Sequence, residues 1–143
     1  MRSPAFGAGA AIPARFTCHG IDTPVPLTWT GVPHNAASVA LVLDDPDAPG
    51  GTFTHWVVFN LPPSAGGIAG GNLPAGAAEA RNSNGHAAYY GPCPPSGTHH
   101  YRFTVYAEPH RLPLRAGAPL GQALHTIQAG AVASGRLTGL FSA

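Results

Sequence analysis

Proline and glycine interrupt this chain so often that it cannot be mostly helix: sixteen prolines and nineteen glycines stand among 143 residues. Proline removes a backbone donor and clashes with the preceding helical turn, while ordering a glycine loses more entropy than ordering any other residue. Between the interruptions lie short apolar runs, the pattern of a mainly β chain with irregular connections. Val39-Ala40-Leu41-Val42-Leu43 is continuously apolar, as expected of a strand covered on both faces. Trp56 to Leu61 is a second such run. Tyr101 to Ala107 alternates, with Tyr101, Phe103, Val105 and Ala107 on one face and Arg102, Thr104 and Tyr106 on the other. Shorter strand candidates are Ile12 to Thr17, Val25 to Trp29, whose flanking Pro24 and internal Pro26 suit an edge, and Leu137 to Phe141. One helix is expected over 119–133, opened by Pro119, with Leu120, Leu124, Ile127 and Ala131 on one side. Residues 62–80 and 82–98 read as surface loops, and residues 1–10 as a loosely ordered lead-in.

The length fits one domain spanning 1–143, large enough to bury about two-thirds of its unfolded surface. No apolar run approaches the ~18 residues that cross a bilayer, and the first residues lack the apolar stretch of a signal peptide. The expected location is therefore the cytoplasm. The seven arginines are dispersed, there is no lysine, and the net charge is +1. That balance argues against a nucleic-acid partner. Cys18 and Cys93 have neither metal-ligand nor redox-pair spacing. In a cytosolic chain the default is two reduced thiols, with a disulfide left open because sequence cannot place their Cα atoms.

Only 9% of the residues are charged, against roughly 25% in an average soluble protein. Three of the six acids fall in Asp44-Asp45-Pro46-Asp47-Ala48-Pro49, a stiff turn followed by His55-Trp56-Val57-Val58. Asp side chains also serve turns by bonding local amides, which is the plainer role for Asp44 and Asp47. Asp45 is the stronger candidate for a cavity. Among the eight histidines, strand parity selects His99, which points the same way as Tyr101, whereas His100 points opposite. His55 opens its own strand and by alternation shares a face with Val57 and Phe59. Gly91-Pro92-Cys93-Pro94-Pro95-Ser96-Gly97 cannot cradle phosphate as a P-loop does, because its prolines lack N–H donors and the lysine is missing. It is suited to form a stiff wall. There is no Gly-x-Ser-x-Gly elbow and no His-Glu-x-x-His site.

These two blocks, ending in Thr98-His99-His100-Tyr101, resemble the signature segments of the phosphatidylethanolamine-binding protein family in its short prokaryotic, Raf-kinase-inhibitor-like form. Phe16-Thr17-Cys18-His19-Gly20 and Leu27-Thr28-Trp29 are similar to the family's opening. The resemblance implies a β-sandwich with a large central sheet, a smaller second sheet and one or two short helices. It also implies a non-enzymatic binding protein with a pocket for phosphate or a phospholipid head group. Carried over by position, the ligand-binding residues are Asp45, Pro49, His55, Pro94, His99 and Tyr101, supported by Asp47, Gly91 and Pro95. No catalytic residue, metal or cofactor is implied. A protein kinase or protease partner, engaged through an outer surface, is the alternative reading, followed by weak hydrolysis using His and Asp as acid and base. A homodimer is compatible with the sequence.

In this reading His55, His99 and the Tyr101 hydroxyl donate to an oxyanion. Asp45 must then orient a histidine, meet a cationic head group or take up a proton.

Overall fold

The computed structural model describes residues 1–143. Seven strands form two antiparallel sheets: β1 (Leu27–Thr28) pairs with β4 (Gly67–Ile68), while β5 (Ala78–Ala80), β3 (Phe53–Leu61), β2 (Ser38–Asp45), β6 (Thr98–Glu108) and β7 (Ala133–Ser142) lie side by side in that order. One helix, α1 (Leu120–Gly130), completes the set. The fold is thus mainly β, with a large and a small sheet, as the motifs implied.

The continuous apolar run of β2 has the two-sided burial expected of it. Val39, Leu41 and Leu43 enter a large cluster shared with Leu27, Trp29 and Ile68 on the small-sheet side. Ala40 and Val42 enter a second cluster against Ala123 and Ile127 of α1. At about 25 cal/mol per Å² of apolar surface, both faces contribute to stability, so a polar residue anywhere in 39–43 is costly. The helix occupies the expected stretch but stops at Gly130, and its fully buried contacts are Ala123 and Ile127, with Leu120 and Leu124 half-buried. Ala131 lies beyond it.

Two extra residues in β3 set its geometry. The pairing moves from Val39↔Leu61 to Leu41↔Val58, and from Leu43↔Trp56 to Asp44↔Thr54. The first bulge contains Asn60, at φ 59°, whose side chain accepts from the Leu112 amide (2.7 Å) and donates to its carbonyl (3.0 Å). Asn tolerates this left-handed conformation better than β-branched residues do. The second bulge contains His55.

Several expectations need correction. Ile12 to Thr17 is no strand: a 3-10 turn runs over Ala14–Phe16, started by Pro13 and closed by Thr17, whose hydroxyl donates to the Ala14 carbonyl. The interval 62–80 contains β4 and β5, strands of two and three residues that are too short to show a period. The first ten residues are not a loose lead-in. Arg2 bridges Thr28, the Gly9 amide donates to the Thr138 carbonyl, and Phe6 is buried. Gly139 permits this docking, because a Cβ there would collide with Phe6 and Ile12. Finally, Cys18 and Cys93 are joined in a disulfide, with Cα atoms 5.4 Å apart, so they are not free thiols.

Candidate functional site

Neighbouring strands β3, β2 and β6 deliver their polar residues to one end of the central sheet. Asp45 ends β2, opposite Phe53 at the start of β3, and His99 lies near the start of β6. By plain alternation His55 would face the helix side with Val57 and Phe59. The bulge removes it from that row: its ring lies 4.7 Å from Phe53 and 5.4 Å from Tyr101, while Val57 and Phe59 pack toward α1. Bulges commonly re-aim a side chain at functional sites.

The result is a cavity of about 150 Å³ whose lining includes Asp45, Pro49, His55, Pro95 and His99. Sequence reasoning missed Phe53, Asn84 and Tyr90, which complete much of its wall, while Cys93 lines it as part of the expected stiff stretch. Phe53 could have been found, since it stands two residues before His55 on the same strand. Asn84 and Tyr90 could not, because an irregular loop carries them. Asn82 anchors that loop: its buried side chain donates to the carbonyls of His55 and Ala88 and accepts from the amides of Asn84 and His86.

Two expected residues sit behind the cavity. Pro94 is buried and does not line it, its neighbours Cys93 and Pro95 doing so instead. Tyr101 is fully buried between the imidazoles, with ring centroids 5.4 Å from His55 and 6.3 Å from His99. Its hydroxyl has no hydrogen-bond partner, and the Cys93 backbone lies beside it without reaching bonding geometry. Burial, followed by the nearby Asp45 charge, raises the phenol pKa, so it keeps its proton.

The acidic turn is paired residue by residue with β6. Asp45 Oδ2 accepts from His99 Nδ1 at 2.6 Å, and its Oδ1 accepts from the Asp47 amide at 2.8 Å. Asp47 is exposed and accepts from both the amide and Nδ1 of His100, at 2.7 Å each. Those bonds lower its pKa. Asp44 accepts two bonds from Arg102, at 2.7 and 2.9 Å. Gly91 is required at its position because a Cβ would collide with Asp22 and the Phe16 carbonyl.

These contacts fix the histidine tautomers. The Tyr90 carbonyl can only accept, so His55 Nδ1, 2.6 Å away, carries a hydrogen. His99 Nδ1 likewise donates to Asp45. Nε2 of each ring has no protein partner, and both residues line the cavity. In neutral imidazoles each free Nε2 is therefore an acceptor, and becomes a donor only on protonation. Burial lowers the His55 pKa; the Tyr90 carbonyl and the Asp45 charge oppose this without overcoming it. No arginine or lysine lines the cavity. No group of three or more His, Cys, Asp or Glu side chains converges as a metal centre.

Comparison with known proteins agrees with this architecture. The chain is 41% identical to a UPF0098 protein of Methanothermobacter thermautotrophicus over 99% of its own length and 97% of the relative's. It is 48% identical to a Mycobacterium tuberculosis protein named "Putative lipoprotein LppC", covering 99% of this chain and 71% of that one. Among solved structures, CT736 of Chlamydia trachomatis superposes with a TM-score of 0.92 at 33% identity, covering 99% of this chain and 95% of the other. YbcL of Escherichia coli gives the same TM-score at 30% identity, covering 99% and 96%. The family model described as phosphatidylethanolamine-binding protein matches residues 2–142. On that match, and on a relative aligned over 97% of its length, the chain belongs to the phosphatidylethanolamine-binding protein family.

Proposed function

We propose that this is a binding protein that captures a small oxyanion, phosphate or the phosphate of a phospholipid head group, together with a proton. The observation that carries the reading is the pair of imidazoles with committed Nδ1 atoms and free Nε2 atoms in one small cavity. A bare dianion would meet two acceptors and the Asp45 carboxylate. A proton from solution on Nε2 gives an Nε2–H···O bond that replaces that repulsion by charge-assisted attraction, and a proton carried on the ligand is donated from its O–H to the neutral Nε2. Asp45 then has a positioning role: it holds the His99 ring through the bond to Nδ1.

The cavity supplies acid–base groups but no evident nucleophile, which favours capture over turnover. Membership in the family supports a binding protein in the broad sense. A partner kinase or protease, modulated when the cavity fills, belongs to the same reading as a second step. We place the protein in an oxidising compartment, in preference to the cytoplasm suggested by the opening residues. The Cys18–Cys93 disulfide supports this, since such bonds persist where thiols are not kept reduced. No helix is long and apolar enough to cross a membrane.

Calorimetric titration with inorganic phosphate tests the function. Wild type should bind, and His55→Ala and His99→Ala should each weaken binding by on the order of tenfold or more, the loss of one charge-assisted bond. Unchanged affinity in both variants would reject the reading.

A further inference from the structure

The wall of the cavity is held by one covalent tie. Residues 93–96, Cys-Pro-Pro-Ser, take part in no hydrogen bond, either backbone or side chain. Pro94 and Pro95 have no amide hydrogen to offer. The chain on either side is anchored. The Cys18 amide donates to the Pro92 carbonyl at 3.1 Å, the Tyr89 hydroxyl donates to the Phe16 carbonyl at 2.7 Å, and β6 begins at Thr98. The Gly97 carbonyl also accepts from the Ala143 amide at 2.9 Å. For residues 93–96 the sulfur of Cys93 is the only bonded attachment, and it leads to Cys18, 75 residues earlier. Cys93 and Pro95 line the cavity, and three residues before Cys93 the Tyr90 carbonyl fixes the His55 ring. Both cysteines are partly exposed, so an attacking thiolate can reach the bond.

From this arrangement we infer that the oxidation state of the Cys18–Cys93 pair regulates the oxyanion cavity, assembling it when the bond forms and loosening it when the bond is reduced. The inference rests on the anion reading above. The chemistry is two-electron exchange with a dithiol. One thiolate of the reductant attacks a sulfur of the disulfide and its second thiol resolves the mixed intermediate. The protein gains two electrons and two protons as cysteine thiols, and the reductant leaves as its own disulfide. Reduction leaves the central sheet and both apolar clusters intact, because neither cysteine belongs to them. What is lost is the fixed position of the wall, so binding has to order residues 93–96 anew and affinity falls.

The test uses the full-length chain, oxidised or reduced with excess dithiothreitol, titrated with inorganic phosphate by calorimetry while far-ultraviolet circular dichroism follows the fold. Reduction should weaken phosphate binding by on the order of tenfold with the β spectrum retained. A variant combining Cys18→Ser and Cys93→Ser should bind as weakly as the reduced protein and ignore dithiothreitol. Equal affinity in both redox states overturns the inference alone. So does loss of the β spectrum on reduction, which would make the bond a staple for the whole fold. Absence of phosphate binding by the oxidised protein overturns the anion reading and this inference with it.

Discussion

At one end of the β2–β6 ladder Asp44 and Asp45 reach Arg102 and His99; at the other, beside Ser38, Glu108 keeps both carboxylate oxygens buried without a partner. The two ends are built from the same strands, and Glu108 is as inaccessible as any core residue. Their chemistry differs because β6 supplies basic side chains at His99, His100 and Arg102 and none near Glu108. At the first end each carboxylate has a hydrogen-bonded partner. At the second, burial alone pushes the carboxyl up to about 7, so it holds its proton where ordinary glutamates have lost theirs. A buried acid thus says little about function until its partners are known, and the end with partners is the end with a cavity.

Four substitutions sharpen this contrast, in falling order of effect on stability. Asp45→Ala removes two bonds made by a buried carboxylate, to His99 and to the Asp47 amide, and should cost about 3 kcal/mol in denaturant unfolding. A loss as small as that of an average surface change would mean that the pair is not formed. Glu108→Gln should stabilise at pH 8. The unfolded chain releases the Glu108 proton near 4.5 and the folded chain near 7, so the folded state binds the extra proton in between. The contribution is complete below the lower value and lost as pH rises through the upper one. The gain at pH 8 should be on the order of 2–3 kcal/mol and vanish near pH 4. A gain independent of pH would contradict the assignment. Asp44→Asn weakens the bidentate, partly exposed pair with Arg102, for a cost of about 1 kcal/mol that shrinks in high salt. Asp47→Asn touches an exposed pair with His100 and should leave the melting temperature unchanged within error.

The same contrast shows what the sequence could and could not disclose. Strands β2, β3 and β6 were legible because each is a long apolar or alternating run, and parity along β6 separated His99 from His100 correctly. His55 stood out because it opens an apolar strand, but its expected face was wrong: alternation places it with Val57 and Phe59, and only the bulge brings it to Tyr101. A bulge is a property of the pairing between strands, which one strand's residues do not encode. The disulfide was undetermined for a similar reason, since it depends on two loops 75 residues apart meeting. The N-terminal ten residues are small and unpatterned, yet they are ordered by the edge of β7 and by the space left over Gly139. Tyr101 was expected at the ligand; it is fully buried between the two imidazoles and is not among the residues that line the cavity.

The central claim is that anion capture requires a proton on the cavity side of His55 and His99. Phosphate titrated calorimetrically at about pH 5.5 and pH 8, in buffers of differing ionisation enthalpy, tests it most directly. The account predicts tighter binding at the lower pH, with net proton uptake when binding is measured at the higher. Equal affinity at both, or binding without proton uptake at pH 8, would contradict it.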